Sequence, residues 1–392
     1  TYWTAGKLVA SGQSPYDVDR QIEIQRALGW DRSINGRGVP PTALPLFALF
    51  AVLPIRTSLA FWTLLNVASS LGLIALARSA LMSQDRLNAA GGQVRAGLES
   101  LPLVAIAALA ICLSFSEASL KGLYLGQLGV FTAVMLLLAL VAQGQGRPIW
   151  VGVCLFLATV KFVTVIPFLL LFLRRPDRLS WVVLLALVLG SCALTGRIAD
   201  LPARLAILAQ RAGELSAPGK VNDYSYEGTR NESIISFEHL FYRLGMRDRE
   251  WIRYAQVLAM LALGAWVAYV VLGNRLPRPA VACLVSLSSL LFIYHRDYDT
   301  LILALPLVYC AGRLGEATGR ARWAYAAIGA STIGVLYMSS TFLRCLTGLT
   351  LQCGAWGRLV QGTVLPYATW LILLCTLTLF RVEARGRARP AS

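Results

Sequence analysis

Eleven apolar stretches punctuate the sequence: 42–54, 58–77, 101–115, 123–142, 149–173, 181–195, 252–273, 279–294, 298–311, 323–338 and 364–380. No ordinary soluble core needs so many, and with 57% hydrophobic against 14% charged residues the chain reads as an all-α, polytopic transmembrane helix bundle. In lipid a lone spanning segment satisfies its backbone N–H and C=O groups only as a helix. Several stretches, at 14 to 16 residues, are shorter than the roughly 20 a straight span requires. Some are therefore expected to be re-entrant, or to stop partway beside a cavity, within one integral membrane domain covering 1–392.

Charge orients the bundle. A net charge of +16 would suggest nucleic-acid binding in a soluble protein, but here the basic residues sit between apolar runs and no nucleic acid is expected as a partner. Arg174, Arg175 and Arg178, then Arg275 and Arg278, then Arg313, Arg320 and Arg322, then Arg381, Arg385, Arg387 and Arg389 occupy every second connection. By the positive-inside rule these connections and the C-terminus are cytoplasmic, so Gly196 to Trp251, His295 to Asp297 and Ser339 to Thr363 face outward. Simple alternation then puts Arg78, Arg86 and Arg95 on the wrong side. Two irregular segments restore the count: 42–54 dips in without crossing, and 149–173 breaks into two arms.

That second segment holds Lys161, the single charge in a 25-residue apolar run from Ile149 to Leu173. A lysine at the centre of a span costs roughly 2.5–3.5 kcal/mol on insertion scales, which marks it as a functional suspect or as half of a buried ion pair.

Outside the apolar runs, 1–39 reads as an outward interfacial segment, with Tyr2, Trp3, Tyr16 and Trp30 at headgroup level and helical spacing over Asp17 to Leu28 (Val18, Ile22, Ile24 or Gln25, Leu28). The 196–251 connection is too short for a domain and is expected to cover the outer mouth, offering Tyr224, Tyr226, Phe237, Phe241 and Tyr242, with an amphipathic stretch near Ile234 to Leu244. No internal repeat is visible. Six cysteines fall in apolar runs, whereas Cys345 and Cys353 share an outward connection as a disulfide or as two thiols. No metal-ligand spacing occurs.

Polar residues gather on the outward side: Glu117, Lys121 and Gln127, then Asn231, Glu232 and Ser233, then His295, Arg296, Asp297 and Asp299. A base, a guanidinium and two carboxylates within five residues suit an anion held beside a polyol.

In order along the chain, Tyr2-Trp3 with Ala5-Gly6, Gly12 and Pro15-Tyr16, then Val39-Pro40-Pro41, Gly126-Gln127, Lys161, Asn231 with Ser233, and Tyr298-Asp299 before Leu305-Pro306 resemble glycosyltransferase family 87, a group of GT-C membrane enzymes. The resemblance implies an inverting enzyme with an outer-face cavity in a cytoplasmic (inner) membrane of bacterial type. It would move a sugar, mannose first among the candidates, from a polyprenyl-phosphate donor to a lipid-linked or glycan acceptor, without a metal or other cofactor. It also implies a catalytic aspartate a few residues ahead of Tyr2 and a first transmembrane helix before that, both upstream of Thr1. Asp17 and Asp19 do not match its position. Lys161, His295 and Arg296 are the candidates for the donor phosphate, and Gln127, Asn231 and Asp299 for sugar hydroxyls or for fixing those cations. A transporter or flippase of an amphipathic anion is the competing reading.

Overall fold

The computed structural model describes residues 2–30, 39–88, 93–174, 177–196, 198–220, 222–225, 234–337, 343, 345 and 364–388. Asn231, Glu232, Ser233, Tyr226 and Cys353 lie outside the described residues.

The chain opens with α1 (Tyr2–Ala10), α2 (Val18–Ala27) and α3 (Leu44–Ala51), then α4 (Ile55–Asp85), α5 (Gln93–Glu99), α6 (Leu103–Ser114), α7 (Glu117–Tyr124) and α8 (Gly129–Gly144). The Lys161 run forms α9 (Pro148–Ala158) and α10 (Phe162–Leu173). There follow α11 (Arg178–Leu194), α12 (Leu201–Leu215), β1 (Ile234–Ile235), α13 (Phe237–Arg243), α14 (Arg249–Leu272) and α15 (Arg278–Ser289). The last elements are β2 (His295–Arg296), a 3-10 turn (Asp297–Leu303), α16 (Ala304–Glu316), α17 (Gly319–Tyr337) and α18 (Tyr367–Ala388). Local chemistry sets many starts: Asp17, Ser116, Asp177, Ser236 and Asp248 accept backbone N–H groups as N-caps, and Pro148 opens α9 where no N–H is needed.

Contacts between helix ends define two ends of the bundle. At one, Gly144 packs on Ser83, Asn88 accepts from the Arg278 amide, Arg174 donates to Asn274, and Gly97 abuts Gly312. This is the arginine end. At the other, Gly129 abuts Tyr298, Ser191 donates to the Pro41 and Thr42 carbonyls, and Trp62 packs on Phe131. Among the described residues, nine helices run between these ends: α4, α6, α8, α11 and α14 to α18. By length and composition alone, four segments qualify as spans, or five if the bent α6–α7 pair counts as one.

The 148–173 run is one of those four, yet it does not cross. A Cβ on Gly152 would lie 2.7 Å from the Ser180 carbonyl oxygen. A straight helix would set Gly152 about 32 Å from Leu173, while the seven residues from Leu173 to Ser180 reach at most about 24 Å. The two arms therefore both return to the arginine end. The break is local: Thr159–Lys161 is a 3-10 turn, and Lys161 leaves helical backbone at φ −132° and ψ 67°. The 42–54 segment also returns, since the Pro41 carbonyl meets α11 and the Phe50 carbonyl meets Ser58 at the start of α4, both away from the arginine end. With these two re-entrant segments, Arg78, Arg86 and Arg95 join the other basic connections at one end.

Short helices are tolerated where protein replaces lipid. Every residue of α15 from Pro279 to Ser289 is buried, as are Ala304 to Cys310 of α16. They occupy the centre of the bundle, so the non-helical link between them meets other helices instead of hydrocarbon.

The bundle is all-α, with one small addition: β1 and β2 pair antiparallel, Ile234 opposite Arg296 and Ile235 opposite His295. One expectation is corrected. The helix over Asp17 to Leu28 forms, but it turns Gln21 and Gln25 inward and leaves Leu28 exposed. Gln21 donates to the Pro15 carbonyl, a bond an apolar side chain at that place cannot make.

Candidate active site

The site is assembled around the link from β2 through the 3-10 turn. Lys161, at the tip of the hairpin, forms an ion pair with Asp299, and its ammonium lies 5.0 Å from the Tyr298 ring centroid. Asp299 also accepts from His295 Nδ1 and from the Arg296 amide, both at 3.2 Å. A carboxylate on Nδ1 fixes the proton there, which leaves Nε2 as the open ring nitrogen; it is buried with no hydrogen-bond partner among the described residues. Burial alone would raise the Asp299 carboxyl, but Lys161 and His295 outweigh it and hold the group down at about 2.

Glycines permit this approach. Gly126 sits at φ +60°, and a Cβ on Gly129 would fall 2.5 Å from the Tyr298 carbonyl oxygen and 3.3 Å from Asp299 Oδ1. The N-terminus of α8 is thus pressed against the Tyr298–Asp299 peptide.

Only part of the cluster faces open space. Lys161 keeps 21% of its side chain exposed, against 4% for Asp299 and none for His295. It lines a cavity of about 180 Å³ with Gln127, Tyr2, Pro40, Val160 and Phe162. The arrangement offers one ammonium and one amide against an apolar wall, with the countercharge behind the ammonium. That is suited to an anionic group whose remainder is apolar.

The other predicted residues fall on neighbouring faces. Asp297 pairs with Lys121, which also pairs with Glu117; burial raises the Asp297 carboxyl despite that lysine. Arg296 stacks over Tyr294, and both reach Asn222 Oδ1, the phenol at 2.8 Å and the guanidinium at 3.4 Å. Asn222 and Gly129 were not singled out from the sequence. For Gly129 the available signal was a second glycine three residues after Gly126; for Asn222 there was none.

The long connection holds its end of this layer by internal bonds. The Asp223 carboxyl, which burial would raise, is lowered by hydrogen bonds from Ser225, Gly219 and Arg249. His239 donates from Nδ1 to the Ile234 carbonyl and accepts from Arg243 at Nε2. Burial keeps that imidazole neutral, its pKa pushed down to about 3. It anchors β1, which pairs with β2 beside His295. Asp17 caps α2 and Asp19 is exposed, so neither reaches the cavity. Among the described residues no group of three or more His, Cys, Asp or Glu side chains is placed to hold a metal ion.

Comparison with known proteins gives one match: a family model described as glycosyltransferase family 87 covers residues 40–293, well over half of the chain. The range takes in Gln127 and Lys161 and ends just before His295. No curated protein and no solved structure matches.

Proposed function

The chain belongs to glycosyltransferase family 87 and is an integral membrane glycosyltransferase, and from that premise we propose that it transfers a sugar, mannose first among the candidates, from a polyprenyl-phosphate donor. The acceptor is a lipid-linked or free glycan hydroxyl. The reaction takes place at the end opposite the arginines, which is the outer face of a bacterial cytoplasmic membrane in this reading. The observation that carries it is Lys161 at the tip of a re-entrant hairpin, facing a cavity with its countercharge buried behind it.

In this reaction the acceptor hydroxyl gives its proton to a carboxylate base and attacks C1 of the sugar. The bond from C1 to the phosphate oxygen breaks, configuration inverts, and polyprenyl phosphate departs with the electron pair. Lys161 meets the growing negative charge on that oxygen. Asp299 and His295 hold the ammonium in place and do not touch the donor, because both are shut off from the cavity. Gln127 orients a sugar hydroxyl or a phosphate oxygen. Tyr2 lines the same cavity, which brings the first described residues of the chain beside the donor. Asp299 is a poor base, since the Lys161 ammonium and the hydrogen bond from His295 stabilise its anion.

Full-length protein in membranes, given a labelled polyprenyl-phosphate sugar, is expected to produce a new glycosidic bond and to do so equally after exhaustive chelation. Label that crosses the membrane without bond formation would instead establish the transporter reading. Loss of activity on chelation, restored by a divalent ion, would overturn the metal-independent mechanism.

A further inference from the structure

A second cavity, of about 640 Å³, lies at the arginine end between the bases of the two hairpin arms, the α8–α9 turn and the start of α11. We propose that it binds the phosphodiester headgroup of an anionic membrane lipid. Three observations carry the assignment.

Its charged lining residues are Arg147, Arg178 and Asp177. Neither guanidinium has a hydrogen-bond or ion-pair partner among the described residues, whereas Asp177 is engaged as the N-cap of α11 through the Leu179 amide. The nearby backbone donors are also taken: the amides of Gln145, Gly146 and Arg147 bond to the Val141, Gln143 and Ala142 carbonyls. The uncommitted charge of the lining is therefore the two guanidinium forks, which match phosphate oxygens.

Two arginines against one aspartate leave this lining at +1. That balances a phosphodiester, which carries one negative charge, better than a phosphomonoester with nearly two. The site is thus distinct in preference from the donor cavity, whose leaving group is a monoester.

The flanks are apolar and open. Ile149 and Trp150 on the first turn of α9, and Leu179 and Val182 on the first turns of α11, are all exposed beside the cavity. Acyl chains can lie along them while the headgroup sits among the arginines; a free phosphate has no use for that strip.

The test uses the full chain in nanodiscs made from equal parts phosphatidylcholine and phosphatidylglycerol, with retained lipids counted by native mass spectrometry. Wild type is expected to keep phosphatidylglycerol in preference to phosphatidylcholine, and Arg147→Gln with Arg178→Gln to lower that preference about tenfold. Arg320→Gln with Arg322→Gln removes the same charge from exposed positions at the same end and is expected to leave it intact. Equal loss in both double variants would reduce the effect to general surface charge and overturn the site, as would no loss in either. A thermal shift with millimolar inorganic phosphate in phosphatidylcholine discs that equals the shift with phosphatidylglycerol would show a free phosphate site and overturn the lipid assignment.

Discussion

Of the carboxylates buried in this bundle, Glu383 and Asp299 lie towards opposite ends and are satisfied in different ways. Near the arginine end Glu383 of α18 accepts from the hydroxyls of Tyr309 and Tyr325, at 2.6 and 2.5 Å, with Arg313 at 3.9 Å. Its partners lie on α16 and α17, so it ties three helices together. At the other end Asp299 is met by a lysine and a histidine, and the lysine looks into open space. A buried acid held at hydrogen-bond distance by two hydroxyls, with its nearest cation 3.9 Å away and shared with Glu316, closes a structure. One whose partner is an exposed cation holds that cation ready for something else.

The largest expected effect separates these roles most directly. Lys161→Met is expected to lower kcat about 10²–10³-fold, the scale for losing one group that meets developing charge, while the protein still extracts and unfolds as a folded species. Turnover that survives this change would reduce the pair to a structural one and erase the contrast. Glu383→Leu should do the reverse. Leaving two buried hydroxyls without an acceptor costs about 3 kcal/mol, read as a lower midpoint of thermal unfolding, with kcat unchanged below that midpoint. A fall in kcat at full folding would mean that the two ends are coupled.

A subtler probe is Gly129→Ala, where a methyl group would have to displace the Tyr298 carbonyl. It is expected to cost about 1–3 kcal/mol of stability. Displacement of Asp299 and its lysine should also lower kcat about tenfold. Gly334→Ala, where the nearest atom is 3.8 Å away, is the matched control.

The smallest effect is in pH. The Asp299 carboxyl is held at about 2 against an ordinary 3.8, so its contribution is complete above about pH 4 and is lost as the pH falls through 2. Unfolding midpoints between pH 4 and 2 should drop more steeply for wild type than for Asp299→Asn. Parallel curves would mean that Lys161 does not stabilise the Asp299 anion.

Much of this was legible because hydrophobicity and charge act locally. The apolar runs marked the helices, and the basic connections, read by alternation, demanded that 42–54 and 149–173 fail to cross. The break at Lys161 had no local sequence mark; only the misplaced Arg78, Arg86 and Arg95 revealed it. Its partner was beyond reach, since Asp299 lies 138 residues away and nothing in either stretch names the other. Both were nevertheless candidates, because a charge in an apolar run is costly wherever its partner lies. The β1–β2 pairing escaped detection because two-residue strands show no period. Glu383 was passed over among the C-terminal arginines, although it is the sole acid of α18. Gln21 faced inward for a reason no periodicity expresses, the carbonyl of Pro15 waiting for a donor.

The 138-residue separation also bears on how the protein is made. A ribosome adding about 5–20 residues per second needs roughly 7–28 s to pass from Lys161 to Asp299. For that interval the hairpin tip carries an ammonium with no countercharge. The completed arms must therefore wait at the water boundary, or against the insertion machinery, until the last third of the chain delivers the aspartate that lets them sink into place.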